Sequence, residues 1–245
     1  QNNSLSVGGG DGLAAREVLR WSPESVTLID LDPTMIDIFQ GKNVDLPAWL
    51  STRLVDLNGN SLNDPRMNFM FGDAFKVVES LSGTGQYFDA IIVDLPDPNH
   101  PDLNKLYTDY FYAKLSDLLS ADGVIAIQST SPYHSKKAFL SIGKTVESTG
   151  LLVDQYHAKV PSCGEWGWTI AAKAGATPKE RLSSYKEMPV DHPYLSLDQV
   201  MAGFAFSNSF YHQASQVDIN RLNEPTLYAY HSEGWRKHKG IYIAK

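Results

Sequence analysis

Leu5-Ser6-Val7-Gly8-Gly9-Gly10-Asp11-Gly12-Leu13-Ala14-Ala15-Arg16-Glu17-Val18 decides the fold of this chain. Residues 5–7 read as the end of a strand, and residues 13–21 as a helix with its apolar side chains on one face. Between them lies a glycine-rich turn, in which Gly8, Gly10 and Gly12 let the backbone bend tightly and come close to a ligand. The spacing is G-x-G-x-G. A dinucleotide fingerprint would want glycine where Leu13 stands, and a phosphate-cradling P-loop would need a lysine that is absent. A strand, a glycine turn and a helix in this order predict a ligand-holding α/β fold, whereas a bare glycine turn would only reverse the chain.

Working outward, strand-like and helix-like segments keep alternating. S-V-T-L-I-D (25–30) reads as a strand, followed by a helix over 33–40 with Asp32 as N-cap and Pro33 at its first position. Residues 41–66 are rich in Asn, Gly, Asp and Pro and read mostly as a loop excursion, with room for a short helix near Trp49. Strands follow at 67–71, at 88–94 (F-D-A-I-I-V-D) and at 123–128, with helices at 75–81, 108–119 and 136–149. Such alternation implies βαβ units and a mostly parallel sheet. After Gly150 two strands, 151–159 and 166–173, are joined by Pro161-Ser162-Cys163-Gly164-Glu165, which suits an antiparallel hairpin. The predicted fold is a Rossmann-like, methyltransferase-type doubly wound sheet over 1–173. Residues 174–245 read as a tail of short helices packed on that domain, the last over 224–235.

Composition bounds the function. The chain has 245 residues, of which 42% are hydrophobic and 20% charged, as in an ordinary soluble globular domain. A formal net charge of −7 argues against a nucleic-acid partner, whose phosphates need a basic face. Cys163 is the only cysteine, and the seven histidines form neither an H-x-H nor an H-E-x-x-H pair, so neither a disulfide framework nor a metal site is expected. No apolar run approaches the roughly 18–20 residues that span a bilayer, and no signal peptide is evident. With a strand beginning almost at residue 1, the expectation is a piece of a longer polypeptide.

Carboxylates recur at the predicted strand ends. Asp30 closes the second strand, where an acid can accept both hydroxyls of a ribose; a solvated strand end is the plainer reading. Asp73, in Gly72-Asp73-Ala74, stands where an acceptor could take the amino group of adenine, and it can also cap the next helix. No lysine or arginine stands among these acids, which favours a nucleoside without phosphates. The fourth strand ends in Asp94-Leu95-Pro96-Asp97-Pro98, two carboxylates in a proline-stiffened turn able to anchor a cation and accept a proton. Downstream, L-Y-T-D-Y-F-Y (106–112) is either a helix face in the core or an apolar wall beside an alkyl chain.

Taken together, G-G-G-D-G-L-A-A-R-E-V (8–18), L-I-D-L-D (28–32), G-D-A-F (72–75), D-L-P-D-P (94–98), L-Y-T-D-Y-F-Y (106–112) and D-G-V-I-A-I-Q (122–128) resemble the spermidine synthases, the polyamine aminopropyltransferases. D-L-P-D-P, T-S-P-Y (130–133), V-P-S-C-G-E-W-G-W (160–168) and the tail 220–236 look most like the bacterial branch whose synthase domain follows a multi-span membrane region on the cytoplasmic side. The resemblance implies a co-substrate, decarboxylated S-adenosylmethionine (AdoMet), with methylthioadenosine as product and a polyamine such as putrescine as acceptor. It implies that Asp11 meets the aminopropyl amine, Asp30 the ribose, Asp73 the adenine, Asp94 the proton of the attacking amine and Asp97 the acceptor, with Tyr107 near donor or acceptor. In the family an N-terminal β-rich segment, which has no counterpart in this sequence, supplies further site residues and helps form a homodimer. The hairpin tyrosine of many soluble members aligns with Pro161; Glu165 either replaces part of its contact or is a solvent-facing charge of the hairpin. An AdoMet-dependent methyltransferase and a non-catalytic polyamine- or nucleoside-sensing domain of a membrane protein share the fold. Asp11 speaks against the former, because it would repel the carboxylate that AdoMet retains.

Overall fold

A computed structural model describes residues 2–43 and 45–238; Val44 of the predicted excursion and residues 239–245 of the predicted tail lie outside the described residues. In chain order the elements are β1 (Asn3–Gly8), α1 (Leu13–Leu19), β2 (Ser25–Asp30), α2 (Pro33–Phe39), α3 (Ala48–Leu57), β3 (Met67–Phe71), α4 (Ala74–Leu81) and β4 (Phe88–Asp94). They continue with α5 (Asp109–Asp117), β5 (Leu119–Gln128), α6 (Lys136–Glu147), β6 (Leu152–Val160), β7 (Gly164–Ala172), α7 (Pro178–Ser183), α8 (Leu197–Ala202) and α9 (Leu227–His238). The strand order is β3-β2-β1-β4-β5-β7-β6. This is the methyltransferase-type Rossmann-like sheet that the alternation predicts, parallel through β1 to β4 and antiparallel in its last hairpin.

By packing, the chain forms two compact units, Gln1–Leu95 with Leu118–Ile125, and Pro96–Asp117 with Ala126–Lys245. In the first, the central residues of β1 and β2 are continuously buried, as expected of parallel strands covered on both faces. Ala15 of α1, Ile36 of α2, Leu62 and Met67 pack with Val26 and Leu28 of β2 into one apolar cluster. The order reverses direction between β1 and β4, which is where open α/β sheets hold ligands at their carboxyl ends. In the second unit β6 and β7 pair antiparallel from Leu152 opposite Ala172 to Val160 opposite Gly164. There Phe139 and Leu140 of α6 pack on Phe210 and Val217.

Helix α2 starts as its sequence dictates. Asp32 accepts a hydrogen bond from the Thr34 amide at 2.8 Å, and Pro33 occupies the first turn. Strand β5 is longer than its composition suggests. The sequence predicts the strand from residue 123 and carries the preceding helix to residue 119, yet α5 ends at Asp117, the Phe88 amide donates to the Leu118 carbonyl at 2.8 Å and the Ser120 hydroxyl to Asp89 at 2.8 Å. These bonds extend the strand back to Leu119.

Residues 41–66, which read mostly as a loop with room for a short helix near Trp49, hold α3 around Trp49 and a 3₁₀ turn at Ser61–Asn63. This segment buttresses the glycine turn. The buried Asn58 donates through Nδ2 to the carbonyls of Asp11 and Phe39, both at 3.0 Å, and the buried Ser61 hydroxyl donates to the Gly12 carbonyl at 2.7 Å. Removing a buried donor leaves its partners unsatisfied, so Asn58→Ala should cost about 1–3 kcal/mol in denaturant unfolding. Asn63→Ala, at an exposed position of the same segment, should stay within about 0.5 kcal/mol of the parent. Equal effects of the two would mean that the segment does not hold the turn.

Candidate active site

Register builds the site. Gly8 lies opposite Asp94 and Asp30 opposite Phe71, while Val7 pairs with Ile29, so the ends of β3, β2, β1 and β4 stand level. Two strand spacings separate the Asp30 and Asp94 positions, roughly 10 Å. Glycine is required between them. A Cβ on Gly8 would sit 2.2 Å from the Asp94 carbonyl oxygen, at a φ of +83°, and a Cβ on Gly10 would sit 2.5 Å from Oδ2 of Asp30. Gly12, the last of the three, closes against Ser61 and Leu62 of the buttress.

Three candidate acids of the first unit are each oriented by the loop that follows them. Asp11 accepts from the Leu13 amide, Asp30 from the Asp32 amide and Asp73 from the Phe75 amide, each through Oδ1 at 3.0 Å. Asp73 thus caps α4, as its position predicts, and its side chain stays at the end of β3. Exposed apolar surface flanks Asp30: Leu31 is 73% exposed, and Phe71 and Met35 are also open. The Met35 side chain reaches to within 3.1 Å of the Cβ position at Gly10. The sequence reading gives no hint of this apolar surface, because Leu31 falls between the predicted strand and the predicted helix.

Asp94 differs from the other three. No donor among the described residues reaches its carboxylate, whose Oδ2 lies 3.5 Å from the Cβ position of Gly9. The residue keeps an open face to solvent. Lost hydration on its protein side, and then the negative charge of Asp11, push its carboxyl above the usual aspartate value. A carboxylate that is neither capped nor paired, and that holds a proton more readily than usual, suits a general base.

In the second unit Asp97 is the opposite case. Its Oδ1 accepts from Gln128 Nε2 at 2.6 Å, and its Oδ2 from Thr130 Oγ1 at 3.2 Å and from His231 Nε2 at 3.0 Å. Tyr107 is buried, and its hydroxyl donates to the Pro96 carbonyl at 2.6 Å, so it stiffens the proline turn from below. Glu165 pairs with His157 across the hairpin, and His157 Nε2 lies 3.0 Å from the Ala205 carbonyl. Gln128, Thr130 and His231 carry no assigned role in the sequence reading. Gln128 stands in a motif that it quotes, but only the fold brings His231 to Asp97.

The chain matches the spermine/spermidine synthase domain over residues 1–183. It belongs to the spermine/spermidine synthase family. A polyamine aminopropyltransferase of Shewanella oneidensis is 48% identical over 240 residues, covering 98% of this chain and 42% of that protein. One from Oceanobacillus iheyensis is 34% identical over 239 residues, covering 96% of this chain and 43% of its own length. The chain therefore spans less than half the length of these curated relatives. Two solved structures share the fold at 23% identity: a spermidine synthase in complex with the transition-state analogue AdoDATO, at a TM-score of 0.68, and the Thermotoga maritima spermidine synthase, at 0.67. Both alignments cover 88% of this chain, and they cover 70% and 69% of those chains.

The raised Asp94 carboxyl carries a stability signature. The folded family domain holds this proton more tightly than the unfolded chain does, so stability falls as pH rises from the ordinary aspartate value through the raised one. Asp94→Asn should therefore melt higher than the parent near pH ~8, and the difference should vanish near pH ~3, below the ordinary value of about 3.9. A variant that melts lower at pH ~8 would show that the charged carboxylate stabilises the fold.

Proposed function

We propose that this chain transfers the aminopropyl group of decarboxylated AdoMet to a polyamine acceptor such as putrescine, giving spermidine and methylthioadenosine. The observation that carries the reading is Asp94, an acid that no donor among the described residues reaches and whose carboxyl is raised, standing level with Asp30 beside the glycine turn. The relatives' names and the synthase motifs support it.

In this reading Oδ2 of Asp30 takes the ribose hydroxyls. Asp73 takes the adenine amino group, and Leu31 and Met35 offer the base an apolar face. Gly8, Gly10 and Gly12 keep the turn thin enough for the nucleoside to lie against it. Asp11 receives the ammonium of the aminopropyl arm, a partner that AdoMet itself would oppose with a carboxylate. Asp97 holds an ammonium of the acceptor. Tyr107 acts through Pro96 by fixing the turn, and Glu165, paired to His157, shapes the acceptor side through the hairpin.

The chemistry is a displacement. An aliphatic amine resembles lysine, with a pKa near 10.4, so it arrives protonated and must lose a proton before attack. Its nitrogen lone pair then forms a bond to the aminopropyl carbon next to the sulfonium. The C–S bond breaks, sulfur keeps the electron pair as neutral methylthioadenosine, and Asp94 takes the proton. Orientation of the two alkyl chains for in-line attack supplies much of the rate. The reading extends to the branch with a preceding multi-span membrane region and a cytoplasmic synthase domain, on the strength of D-L-P-D-P and V-P-S-C-G-E-W-G-W. The described residues contain no helix long and apolar enough to cross a membrane. Pairing into homodimers belongs to the same reading.

Incubation with decarboxylated AdoMet and putrescine, followed by mass spectrometry, should show spermidine and methylthioadenosine in equal amounts. Asp94→Asn should lower kcat by about 10²-fold or more while leaving methylthioadenosine affinity nearly intact. Binding of both ligands without any product would instead identify a sensing domain, and methyl transfer from AdoMet would overturn the reading.

A further inference from the structure

We propose that His231, on helix α9, is a positioning residue for Asp97 and sets how tightly the acceptor amine is held. The inference rests on the reading of Asp97 as the acceptor's anchor and adds a residue from beyond the segment that the family domain matches, residues 1–183.

The cradle around Asp97 is built, not incidental. Thr130 is fully buried and adopts a φ of +60°, a left-handed conformation costly for a β-branched residue. That conformation is held on both sides: the Thr130 amide donates to Gln128 Oε1 at 3.2 Å, and its carbonyl accepts from the Gly167 amide at 2.8 Å. Gln128 uses its other end on Asp97, so Asp97, Gln128 and Thr130 form a closed ring of hydrogen bonds. His231 supplies the third donor, through a side chain only 8% exposed against an Asp97 side chain that is 15% exposed.

A carboxylate offers about four acceptor positions. Gln128 fills one on Oδ1, and Thr130 and His231 fill both on Oδ2. One position on Oδ1 is left for a charge-assisted bond from an ammonium. Without His231 the carboxylate loses one of the two bonds that fix Oδ2, and it can turn away from the acceptor's direction.

Helix α9 is seated to hold that donor. Asn220 is buried and accepts from the amides of Thr226 and Leu227 at 3.0 and 3.2 Å, capping the start of the helix, while its Nδ2 donates to the Tyr107 carbonyl at 3.0 Å. Tyr107 in turn holds Pro96, the neighbour of Asp97. One turn after His231, Gly234 lies so close to α6's start that a Cβ there would sit 2.4 Å from the His134 carbonyl oxygen. Lys137 of α6 pairs with Glu233 at 3.1 Å.

The test compares the parent chain with His231→Leu, His231→Gln and Gly234→Ala. His231→Leu should raise the putrescine KM by about tenfold or more, with methylthioadenosine affinity unchanged. His231→Gln, which keeps a side-chain N–H donor, should recover much of that loss. Gly234→Ala, which displaces α9 without touching His231, should raise the same KM. An unchanged KM in His231→Leu overturns the proposal. A lowered melting point in both His231 variants, with no recovery by Gln, would make the residue merely structural and overturns it too. Nuclear magnetic resonance of the imidazole nitrogens separates this result from the fate of the catalytic reading. The His231 signal should shift on adding putrescine, and again in Asp97→Asn, whether or not product forms. If the parent turns nothing over but the signal still shifts, aminopropyl transfer falls and the positioning role stands. If putrescine leaves the signal unmoved, the positioning role falls.

Discussion

The close approach of strand ends through glycine is the constraint on which the first unit's chemistry depends. Parallel strands lie about 4.8 Å apart, and any side chain on the middle strand would separate what its neighbours bring up. At Gly8 a Cβ would collide with the Asp94 backbone, and at Gly10 with the Asp30 carboxylate. Removing those two Cβ atoms lets β2 and β4 place their terminal acids on either side of one thin turn. The 41–66 segment then locks the turn from behind through Asn58 and Ser61. A ligand meeting this surface finds backbone at its centre and carboxylates at its edges.

Gathering acids without cations works against stability, and the molecule distributes that cost unevenly. Asp11, Asp30 and Asp73 each give one oxygen to an amide of the loop that follows, which orients them and offsets some of the lost hydration. Asp94 has no such bond among the described residues, and lost hydration, then the Asp11 charge, raises its carboxyl above the usual aspartate value. Its unmet acceptor capacity makes it the best-suited of the four to receive a proton. Asp97 is treated in the reverse manner: three donors hold its carboxylate still.

Much of this was legible in the chain itself, because local rules governed it. The glycine turn, the Asp32 cap, the apolar run of β4 and the antiparallel hairpin follow from periodicity and turn chemistry, and the strand-end acids follow from those elements. Where tertiary bonds override composition, the reading ran short. Residues 41–66 are rich in Asn, Gly, Asp and Pro and read mostly as a loop; the short helix near Trp49 was legible, but the burial of Asn58 as a strut was not. Residues 120–122 fall between the predicted helix and the predicted strand, yet Ser120 is tied to Asp89 in β4. Glu165 and His157 stand two rungs apart in the hairpin register, so their pairing needs that register to be known. His231 and Asp97 share no local signal, since the fold alone makes them neighbours.

The central claim is that this ring of acids is built for a nucleoside whose arm ends in a cation and carries no carboxylate. Isothermal titration calorimetry of the parent chain with decarboxylated AdoMet and with AdoMet tests it most directly, with Asp11→Asn as the comparison. A carboxylate facing an ammonium gains free energy, and one facing a carboxylate loses it. The account predicts that decarboxylated AdoMet binds more tightly than AdoMet, and that Asp11→Asn narrows the gap. Tighter binding of AdoMet by the parent, unchanged in Asp11→Asn, would contradict it.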